Sequence, residues 1–300
     1  MSLEPPERVA LGRGELQLDL LPALGGAIAG YRWIRGGQAF PLIRETPGDA
    51  LDVLQTASFP LVPYCNRIRD GRFRFRGREI QLSPNLPPQR HPLHGQGWRQ
   101  AWSVADAGED WAELTCVHQA DEWPWTWEGR QRFVLDDDGL EIVLSCRNLS
   151  DEPMPCGLGL HPFFDAPDDL MLDAEVSGVW TIDDEVMPVR LEPAEGRYSL
   201  ERRRIARADL DNGYEGWRGE AVLWWPSAGA GLRISSKDAR RFQVFAPANE
   251  PVLCAEPVVN ANDALSRPEA EWASCGIAIL EPGEQASMTS RFDPVGSWSA

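Results

Sequence analysis

The residues of this sequence best suited to proton transfer are its histidines, and the chain contains only four. They are His91, His94, His118 and His161. His91 and His94 lie in one glycine- and proline-rich segment, residues 91–97, and His161 lies in a second, residues 157–164. A residue before proline is held in an extended or turn conformation, and glycine lets a ligand approach the backbone closely. Because an imidazole titrates at about pH 6.5, histidines in such loops are candidates for acid–base chemistry.

Glu256 is the carboxylate whose setting indicates a role in a cleft. It stands in the segment 254–257, soon after the apolar stretch 242–246, which is typical of a buried strand. An acid so close to a buried segment is poorly placed for solvation, and a carboxylate in that position can serve as a general base. The sequence also allows the simpler interpretation of an acid on a surface loop.

Metal sites and hydrolase sites receive little support from the sequence. His91 and His94 are three residues apart and could share a metal ion, but there is no HExxH pattern and no spacing that supplies further ligands. No GxSxG segment marks a hydrolase nucleophile. The six cysteines are scattered without a CxxC pair, as small buried side chains are. Cys65 and Cys254 lie near the segments above, but no neighbouring feature indicates a nucleophile. We therefore predict no metal site.

The elements that must position these residues are predicted to be strands. With 27 glycines and 25 prolines, turn signals recur along the chain, and alternating or β-branched segments lie between them. Strands are predicted at residues 15–20, 71–81, 112–118, 131–135, 140–147, 221–225, 231–235 and 242–246. Residues 72–76 alternate arginine and phenylalanine, which puts the two residue types on opposite faces. Residues 136–139 predict a hairpin turn.

Helix content should be low, and the fold class predicted is all-β. The strongest helical candidate, residues 261–273, is short and contains Pro268. No internal repeat, linker or shift in composition marks a domain boundary. The simplest architecture is one large antiparallel sandwich that forms a single domain over residues 1–300.

The charge and hydropathy of the chain exclude several classes of partner. The formal net charge is −17, from 29 basic and 46 acidic residues, so we expect no nucleic acid or anionic membrane as a partner. No apolar run approaches the roughly 20 residues that span a bilayer, and the first 13 residues are unlike a secretory signal. The sequence therefore predicts a soluble, cytoplasmic protein.

Several short motifs, taken in order, resemble those of the aldose 1-epimerase (galactose mutarotase) family. They are Asn66-Arg67-Ile68, Gly71-Arg72-Phe73, Asn85, His91-Pro92-Leu93-His94-Gly95, Gly159-Leu160-His161-Pro162-Phe163-Phe164, Asp211 with Tyr214, Cys254-Ala255-Glu256-Pro257 and Asp263-Ala264-Leu265. The resemblance covers about residues 15–292. It implies a β-supersandwich with its active site in a cleft, no cofactor, and a small-molecule sugar as the partner of a monomer or homodimer.

The resemblance also implies a role for individual residues. His161 resembles the general acid that protonates the ring oxygen of the sugar, and Glu256 resembles the general base at the anomeric hydroxyl. Groups that resemble the family's substrate-binding residues are His94, Arg67, Asn66 and Asp211. The better-known galactose mutarotases have His-Asn after this aspartate and Glu-Thr-Gln at the glutamate. Asn212-Gly213 and Glu256-Pro257-Val258 stand here instead, as in a shorter, divergent branch, and the identity of the sugar stays open.

The expected reaction is the interconversion of the α and β anomers of a hexose by ring opening and closure. At ordinary pKa values of about 4.3 and 6.5 the carboxylate is ionised at neutral pH and the imidazole can donate a proton, so neither a metal nor a cofactor is required. Of the 13 tryptophans, Trp98, close behind His94, is predicted to lie near the substrate. Trp123, Trp125 and Trp127 would share one face if their segment were a strand.

Two alternatives to this function remain open. A hexose-6-phosphate 1-epimerase would need basic groups for its dianionic substrate. The sequence offers Arg67, Arg69, Arg72, Arg74, Arg76 and Arg78, although strand alternation accounts for several of them as a solvated face. The second alternative is a carbohydrate-binding protein that kept the fold and lost catalysis, against which the presence of both His161 and Glu256 argues.

Overall fold

The computed structural model describes residues 6–298, and the regular elements in this part of the chain are almost all strands. In chain order they are β1 (Val9–Arg13), β2 (Leu16–Leu21), β3 (Ala27–Arg35), β4 (Gln38–Ile43), β5 (Ser58–Leu61), β6 (Arg72–Phe75), β7 (Arg78–Gln81), β8 (Ser103–Ala107), β9 (Trp111–His118), β10 (Trp127–Leu135), β11 (Leu140–Asn148), β12 (Met154–Cys156), β13 (Gly159–Asp165), β14 (Met171–Ala174), β15 (Gly178–Ile182), β16 (Pro188–Pro193), β17 (Arg203–Arg204), β18 (Leu210–Glu215), β19 (Glu220–Trp225), β20 (Ala230–Ser236), β21 (Arg241–Ala246), β22 (Val252–Val258), β23 (Ala278–Leu280) and β24 (Gln285–Val295). Short 3₁₀ segments lie at Val53–Gln55, Arg69–Gly71, Gly97–Arg99, Gly196–Tyr198, Pro226–Ala228 and Glu269–Glu271.

Two large antiparallel sheets organise these strands. The 11-stranded sheet has the order β1-β2-β3-β5-β13-β22-β21-β18-β15-β16, with β4 paired to β3. The nine-stranded sheet has the order β17-β14-β19-β20-β24-β11-β10-β9-β8, and two small hairpins, β6-β7 and β12-β23, accompany them. The all-β sandwich predicted from the sequence is thus confirmed. No helix within residues 6–298 combines the length and apolar character needed to cross a membrane.

The core lies between the two large sheets and is continuous from one to the other. Strand β10 shows why its sequence forms a half-buried strand, since every second residue along it is buried and the residues between them are more exposed. Buried side chains of both sheets, such as Leu18 of β2 and Leu114 of β9, belong to a single cluster. The buried Tyr31 hydroxyl on β3 donates to the backbone carbonyl of Phe292 on β24, at 3.1 Å, and so links the sheets directly.

Most of the predicted strands are present, and the main difference has a physical reason. Residues 71–81 form the hairpin β6-β7 rather than one strand, because Arg76 and Gly77 adopt positive φ angles of 47° and 84° and reverse the chain. Phe73 and Phe75 are buried and the alternating arginines are exposed, as the pattern predicted. Residues 261–273, the strongest helical candidate, contain turns and one 3₁₀ segment, with Asp263 left-handed, in agreement with the low helix content predicted.

The tryptophan-rich segment 123–127 is buried, but only its last residue lies in a strand. Trp123 and Trp125 precede β10 and pack their rings against each other, with centroids 5.1 Å apart. All three tryptophans are at most 1% exposed. The condition for a shared strand face is therefore not met. Trp123 and Trp125 pack against the β6-β7 hairpin, where both contact Phe73, and Trp127 stacks on His118.

We predict that Gly95→Ala destabilises the fold far more than Gly14→Ala. Both glycines are left-handed, but a Cβ on Gly95 would lie 2.3 Å from the Val62 carbonyl oxygen, whereas a Cβ on Gly14 would meet nothing within 4 Å. Left-handed backbone alone costs about 1–2 kcal/mol for an L-residue, and the clash should bring Gly95→Ala to at least about 3 kcal/mol. Urea unfolding midpoints of both variants measure the difference, and equal midpoints would contradict the packing described.

Candidate active site

A row of side chains crosses the middle of the 11-stranded sheet. The register pairs Phe59 of β5 with His161 of β13, and Glu256 of β22 with Gln243 of β21, which is paired in turn with Gly213 of β18. The pairs Gly159–Val258 and Phe163–Cys254 fix the register of β13 and β22, so that His161 lies opposite Glu256. Because residues of neighbouring strands that stand side by side face the same way, these residues point to one side of the sheet.

All seven residues predicted to form the site line one cavity of about 220 Å³ on this face. They are His161, Glu256, His94, Arg67, Asp211, Asn66 and Trp98. Glu256 lies within β22 and is 2% exposed, so the alternative of an acid on a surface loop was wrong. His91 and His118 are also buried but do not line the cavity. A concave site with a few convergent polar groups and apolar walls is suited to binding a small ligand.

His161 and Glu256 form a close acid–base pair at this cavity. The Nε2 atom of His161 lies 3.4 Å from Oε1 of Glu256. Burial raises the pKa of Glu256 well above its usual range; the charge of Asp211 adds to this effect and that of Arg67 opposes it. The pKa of His161 is lowered to about 3, mainly by burial and also by the charges of Arg44 and Arg67, while the residue's own backbone opposes the shift. Both shifts favour the neutral forms, so a proton shared by the ligand-free pair lies on Glu256 rather than on His161, contrary to the ordinary pKa values assumed from sequence.

The second ring nitrogen of His161 has no acceptor on another residue. Its Nδ1 atom is buried and makes no such hydrogen bond within residues 6–298. When Nε2 of the neutral ring accepts from the protonated Glu256, the ring proton lies on Nδ1. Leaving a buried donor unpaired costs about 1–3 kcal/mol, and this cost is the same in the neutral ring and in the imidazolium.

His94 is locked to Asn66 by two reciprocal hydrogen bonds. The His94 backbone N–H donates to the Asn66 carbonyl at 3.0 Å, and the Asn66 backbone N–H donates to Nδ1 of His94, also at 3.0 Å. Both residues adopt a left-handed φ of 63°, which this pairing maintains. Burial lowers the pKa of His94 well below its ordinary value, so the ring is neutral. With Nδ1 acting as acceptor, the proton lies on Nε2, which makes His94 a hydrogen-bond donor.

Arg67, Asp211 and Gln243 form the polar wall of the cavity. An Arg67 Nη2 atom lies 3.8 Å from Oδ2 of Asp211, and Nη1 donates to the Asn66 side-chain oxygen at 3.1 Å. The Gln243 amide donates to the other Asp211 oxygen at 2.9 Å. Burial raises the pKa of Asp211, and the Arg67 charge and the Gln243 bond oppose the rise. The wall thus offers both donors and acceptors, as recognition of hydroxyl groups requires.

The loop that carries Arg67 is held in place by side chains from the far end of the sequence. Alternate backbone N–H groups of residues 65–69 donate to side-chain oxygens of residues 260–263. The bonds are Cys65 to Asn260 at 3.0 Å, Arg67 to Asn262 at 3.1 Å and Arg69 to Asp263 at 2.8 Å. The side chains of residues 260–263 thus fix the loop that carries Arg67 without lining the cavity themselves.

Trp98 lies at the cavity but is not free to stack on a ligand. It is 1% exposed and packs on Phe59, with ring centroids 5.4 Å apart at 25°. Its indole N–H is directed at the carbonyl oxygens of Leu93 and Gly95, at 3.2 and 3.1 Å. Its role in this structure is to shape the loop that presents His94.

Sequence reasoning missed several residues of the cavity wall. Gln243 was hidden in the predicted strand 242–246, where a lone polar side chain among apolar ones was the available signal. Phe163 lies inside the His161 motif but had been assigned no role. Phe59, Phe245, Leu54, Leu86, Gln89 and Leu93 also line the cavity, and nothing in their local sequence marks them.

The side-chain atoms that lie together as possible metal ligands are not those of His91 and His94, the pair considered from the sequence. His91 accepts the Asp70 backbone N–H through Nδ1 at 2.9 Å and does not share a face with His94. A side-chain nitrogen, sulfur and oxygen of His161, Cys254 and Glu256 lie within 4.8 Å of one another. The Cys254 thiol, however, is fully buried, does not line the cavity, and has its pKa raised by burial and by the charge of Glu256. A cysteine binds a divalent metal as its thiolate, so a donor set that contains this buried thiol is poorly suited to such a metal.

Comparisons with known proteins agree on the type of fold. The family model described as aldose 1-epimerase matches residues 8–293. The uncharacterized Escherichia coli K12 protein YphB is 32% identical over 308 aligned residues, which cover 96% of this chain and 98% of YphB. A crystal structure of an Escherichia coli K12 protein matches with a TM-score of 0.88 and 27% identity, over 96% of this chain and 99% of that one.

A more distant structure extends the likeness in fold. The galactose mutarotase-like protein of Clostridium acetobutylicum matches with a TM-score of 0.84 and 16% identity, over 96% of this chain and 95% of that one. Together with the two large antiparallel sheets, these matches confirm the predicted β-supersandwich.

We predict that none of the six cysteines of the native protein reacts with Ellman's reagent. All six are free and buried, and burial raises the pKa values of Cys65, Cys116, Cys146 and Cys254. Thiolate is the reactive form, so both access and nucleophilicity are lacking. Six equivalents should react once guanidinium unfolds the chain. If one thiol of the native protein reacts promptly and this reaction is absent in Cys254→Ser, the reagent reaches Cys254, which would contradict the burial described.

Proposed function

The chain belongs to the aldose 1-epimerase family, and on that premise we propose that it interconverts the α and β anomers of an unphosphorylated hexose. The observation that carries this proposal is the 3.4 Å approach of His161 to Glu256 at a cavity lined by Arg67, Asp211 and His94. Anomerisation needs one proton removed from the anomeric hydroxyl and one delivered to the ring oxygen. A neighbouring acid and base supply both.

In the proposed mechanism Glu256 removes the hydroxyl proton and His161 protonates the ring oxygen. The reactive form is the carboxylate–imidazolium pair, reached from the resting state when the single proton moves from Glu256 to His161. The raised pKa of Glu256 makes its carboxylate a stronger base, and the lowered pKa of His161 makes its imidazolium a stronger acid. Ring opening therefore returns the pair to the neutral form that burial favours. The open aldehyde then rotates about its bond to C2.

Closure of the ring on the other face of the aldehyde reverses both proton transfers. Glu256 returns a proton to the carbonyl oxygen while His161 receives one from the attacking hydroxyl. The same pair thus serves both anomers. Each well-placed proton transfer is worth roughly 10²–10⁴-fold in rate, or about 3–5 kcal/mol. Nε2 of His94, the guanidinium of Arg67 and the carboxylate of Asp211 are the proposed partners of the sugar hydroxyls.

The charges around the cavity favour an uncharged sugar over a sugar phosphate. Of the six arginines that the sequence offered for a phosphate, Arg67 alone lines the cavity, and Asp211 offsets its charge. The other five have polar or acidic partners outside the cavity: Arg69 with Asp263, Arg72 with Glu79, Arg74 with the Gly77 carbonyl, Arg76 with Glu281 and Arg78 with Glu152. A dianion would find no surplus of positive charge here.

The proposed function is tested by polarimetry on freshly dissolved aldoses. We expect catalysed mutarotation of at least one of glucose, galactose and other common aldoses, above the spontaneous rate in the same buffer. A parallel NMR exchange assay on glucose 6-phosphate should show a much lower kcat/KM. Strong activity on the phosphate would instead support the hexose-6-phosphate alternative, and inactivity on all sugars that bind would support the non-catalytic one.

We predict that Glu256→Gln and His161→Asn each lower kcat by at least about 10²-fold with the fold intact. Each variant removes one of the two proton transfers. His94→Asn and Arg67→Ala should act mainly on KM, because these residues are proposed to hold the sugar. His118→Asn, which changes a buried histidine outside the cavity, is the matched control and should retain wild-type kcat. A Glu256→Gln protein that mutarotates every tested aldose at the wild-type rate would contradict the proposed mechanism.

The pH profile gives an independent prediction. Activity needs one proton on the pair, and at ordinary pKa values that form would dominate only between about pH 4.3 and 6.5. The lowered pKa of His161, about 3, delays uptake of a second proton on the acidic side. The raised pKa of Glu256 keeps the remaining proton on the pair to a higher pH than an ordinary carboxyl would. We therefore expect kcat/KM, corrected for the spontaneous reaction, to stay level as the pH falls from about 6 to below about 4.3. A fall of about tenfold per pH unit that begins near pH 4.3 would contradict this.

Activity should also survive exhaustive chelation. The acid and base already supply both transfers, and the His161, Cys254 and Glu256 donor set includes a buried neutral thiol. The measurement is mutarotation after dialysis against EDTA, with an undialysed sample as control. Loss of activity on dialysis and its recovery with zinc would require a metal in the mechanism.

A further inference from the structure

The imidazole of His161 lacks the hydrogen bond that usually fixes the orientation of a catalytic histidine. In acid–base sites the second ring nitrogen commonly donates to a carboxylate or carbonyl, which sets both the tautomer and the ring plane. Here Nδ1 makes no hydrogen bond to another residue within the described part of the chain, and only the backbone of His161 itself interacts with the ring. The proposed mechanism nevertheless requires Nε2 to face Glu256, so another interaction must hold the ring.

Two phenylalanines contact the ring from different directions. Phe59 lies directly opposite His161 across the β5–β13 ladder, and Phe163 follows it by two residues on the same face of β13. Each phenylalanine ring has its centroid 4.6 Å from that of His161 and lies nearly parallel to it, at 28° and 30°. The two phenylalanine centroids are 5.9 Å apart, so they flank His161 on two sides rather than enclosing it between them. His94 closes a third side edge-on, at 5.2 Å.

The phenylalanines are themselves fixed by their surroundings. Phe59 is 2% exposed and packs on Trp98. Phe163 is 8% exposed, and the Arg44 guanidinium lies 3.8 Å from its ring centroid. Arg44 is held in turn by the Thr56 carbonyl, to which its Nε donates at 2.9 Å. A side chain can orient a neighbour only when its own rotamer is restricted by packing, and both rings meet that condition.

We propose that Phe59 and Phe163 are positioning residues that hold the His161 ring in the plane where Nε2 faces Glu256. This inference rests on the proposed function. Orientation by aromatic packing also keeps the His161 imidazolium a strong acid, which a hydrogen-bond acceptor at Nδ1 would prevent. A carboxylate or carbonyl at Nδ1 would stabilise the imidazolium and weaken it as an acid, whereas aromatic packing orients the ring without accepting a proton.

The kinetic test replaces each ring by a flexible aliphatic side chain. Phe59→Leu and Phe163→Leu should each lower kcat by about 10–100-fold and change KM by less than about threefold, because a misdirected ring affects proton transfer rather than binding. Phe163→Tyr, which keeps the ring, should restore kcat to within about threefold of wild type. Phe164→Leu is the matched control, since Phe164 lies on the same strand, is buried in the main core outside the cavity and makes no ring contact with His161.

A spectroscopic test reports on His161 without using activity. The chain has only four histidines, so the imidazole nitrogens can be assigned by ¹⁵N NMR with single His→Asn variants. The wild type should give one sharp pair of His161 ring nitrogens, which report one tautomer in one environment. Phe59→Leu and Phe163→Leu should give exchange-broadened or averaged signals, while Phe164→Leu should leave them unchanged. If Phe59→Leu does not fold, as judged by its unfolding transition, Phe163→Leu carries the test.

The outcomes separate this inference from the proposed function. Wild-type kcat and sharp His161 signals in the leucine variants would overturn it, as would a rise in KM at constant kcat, which would make the phenylalanines substrate contacts. If the wild-type protein mutarotates no aldose and the leucine variants still disturb the His161 signals, the proposed function fails while the positioning role stands.

Discussion

The antiparallel register of β13 with β22 is the constraint on which the site depends. It sets His161 opposite Glu256, and the registers of the neighbouring strands extend the same row to Phe59 and Gln243. Because side chains alternate along a strand, a slip by one residue would turn one member of the pair to the opposite face. The alternate residues of β13 prevent that slip, since Leu160 and Phe164 are buried in the main core on the other side. Packing of the core thereby sets the geometry of the polar row.

The second constraint is that this polar row is itself buried. An isolated carboxylate or imidazolium is costly to bury unless it is paired. Burial therefore favours the neutral form of both residues, with one proton shared between Glu256 and His161. Arg67 and Asp211 nearby nearly balance each other, so they provide hydrogen-bonding groups without a strong net field. The result is a pair in which burial favours the neutral form of both residues, as the proposed ring-opening step requires. The same burial protects the neighbouring Cys254 from ionising.

The sequence indicated the residues whose chemical type is required by the motifs. It did not indicate the residues whose position depends on packing. His161, Glu256, His94, Arg67 and Asp211 could be identified because their motifs stand in a recognisable order, and β6, β9 and β11 because their patterns alternate. The direction of the pKa shifts could not be read from sequence, since burial depends on strands far apart in the chain. Phe59 likewise carries no local signal, because its position beside His161 exists only after β5 and β13 pair. Residues 261–273 form turns rather than a helix, and the side chains of Asn262 and Asp263 bond to the distant 65–69 loop, which the local sequence does not indicate.

The position of the last strand has a consequence for how the protein is made. Strand β24 does not lie at an edge of the nine-stranded sheet; it lies between β20 and β11 and joins β17-β14-β19-β20 to β11-β10-β9-β8. The bonds that fix the Arg67 loop also span 195 positions, from Cys65 to Asn260 and from Arg67 to Asn262. A ribosome that has released only the first 280 residues therefore presents half-sheets with unpaired edges, which are prone to wrong pairing. Folding of this sheet can be completed only after residues 285–295 have left the ribosome, so the nascent chain must keep those edges apart until β24 emerges.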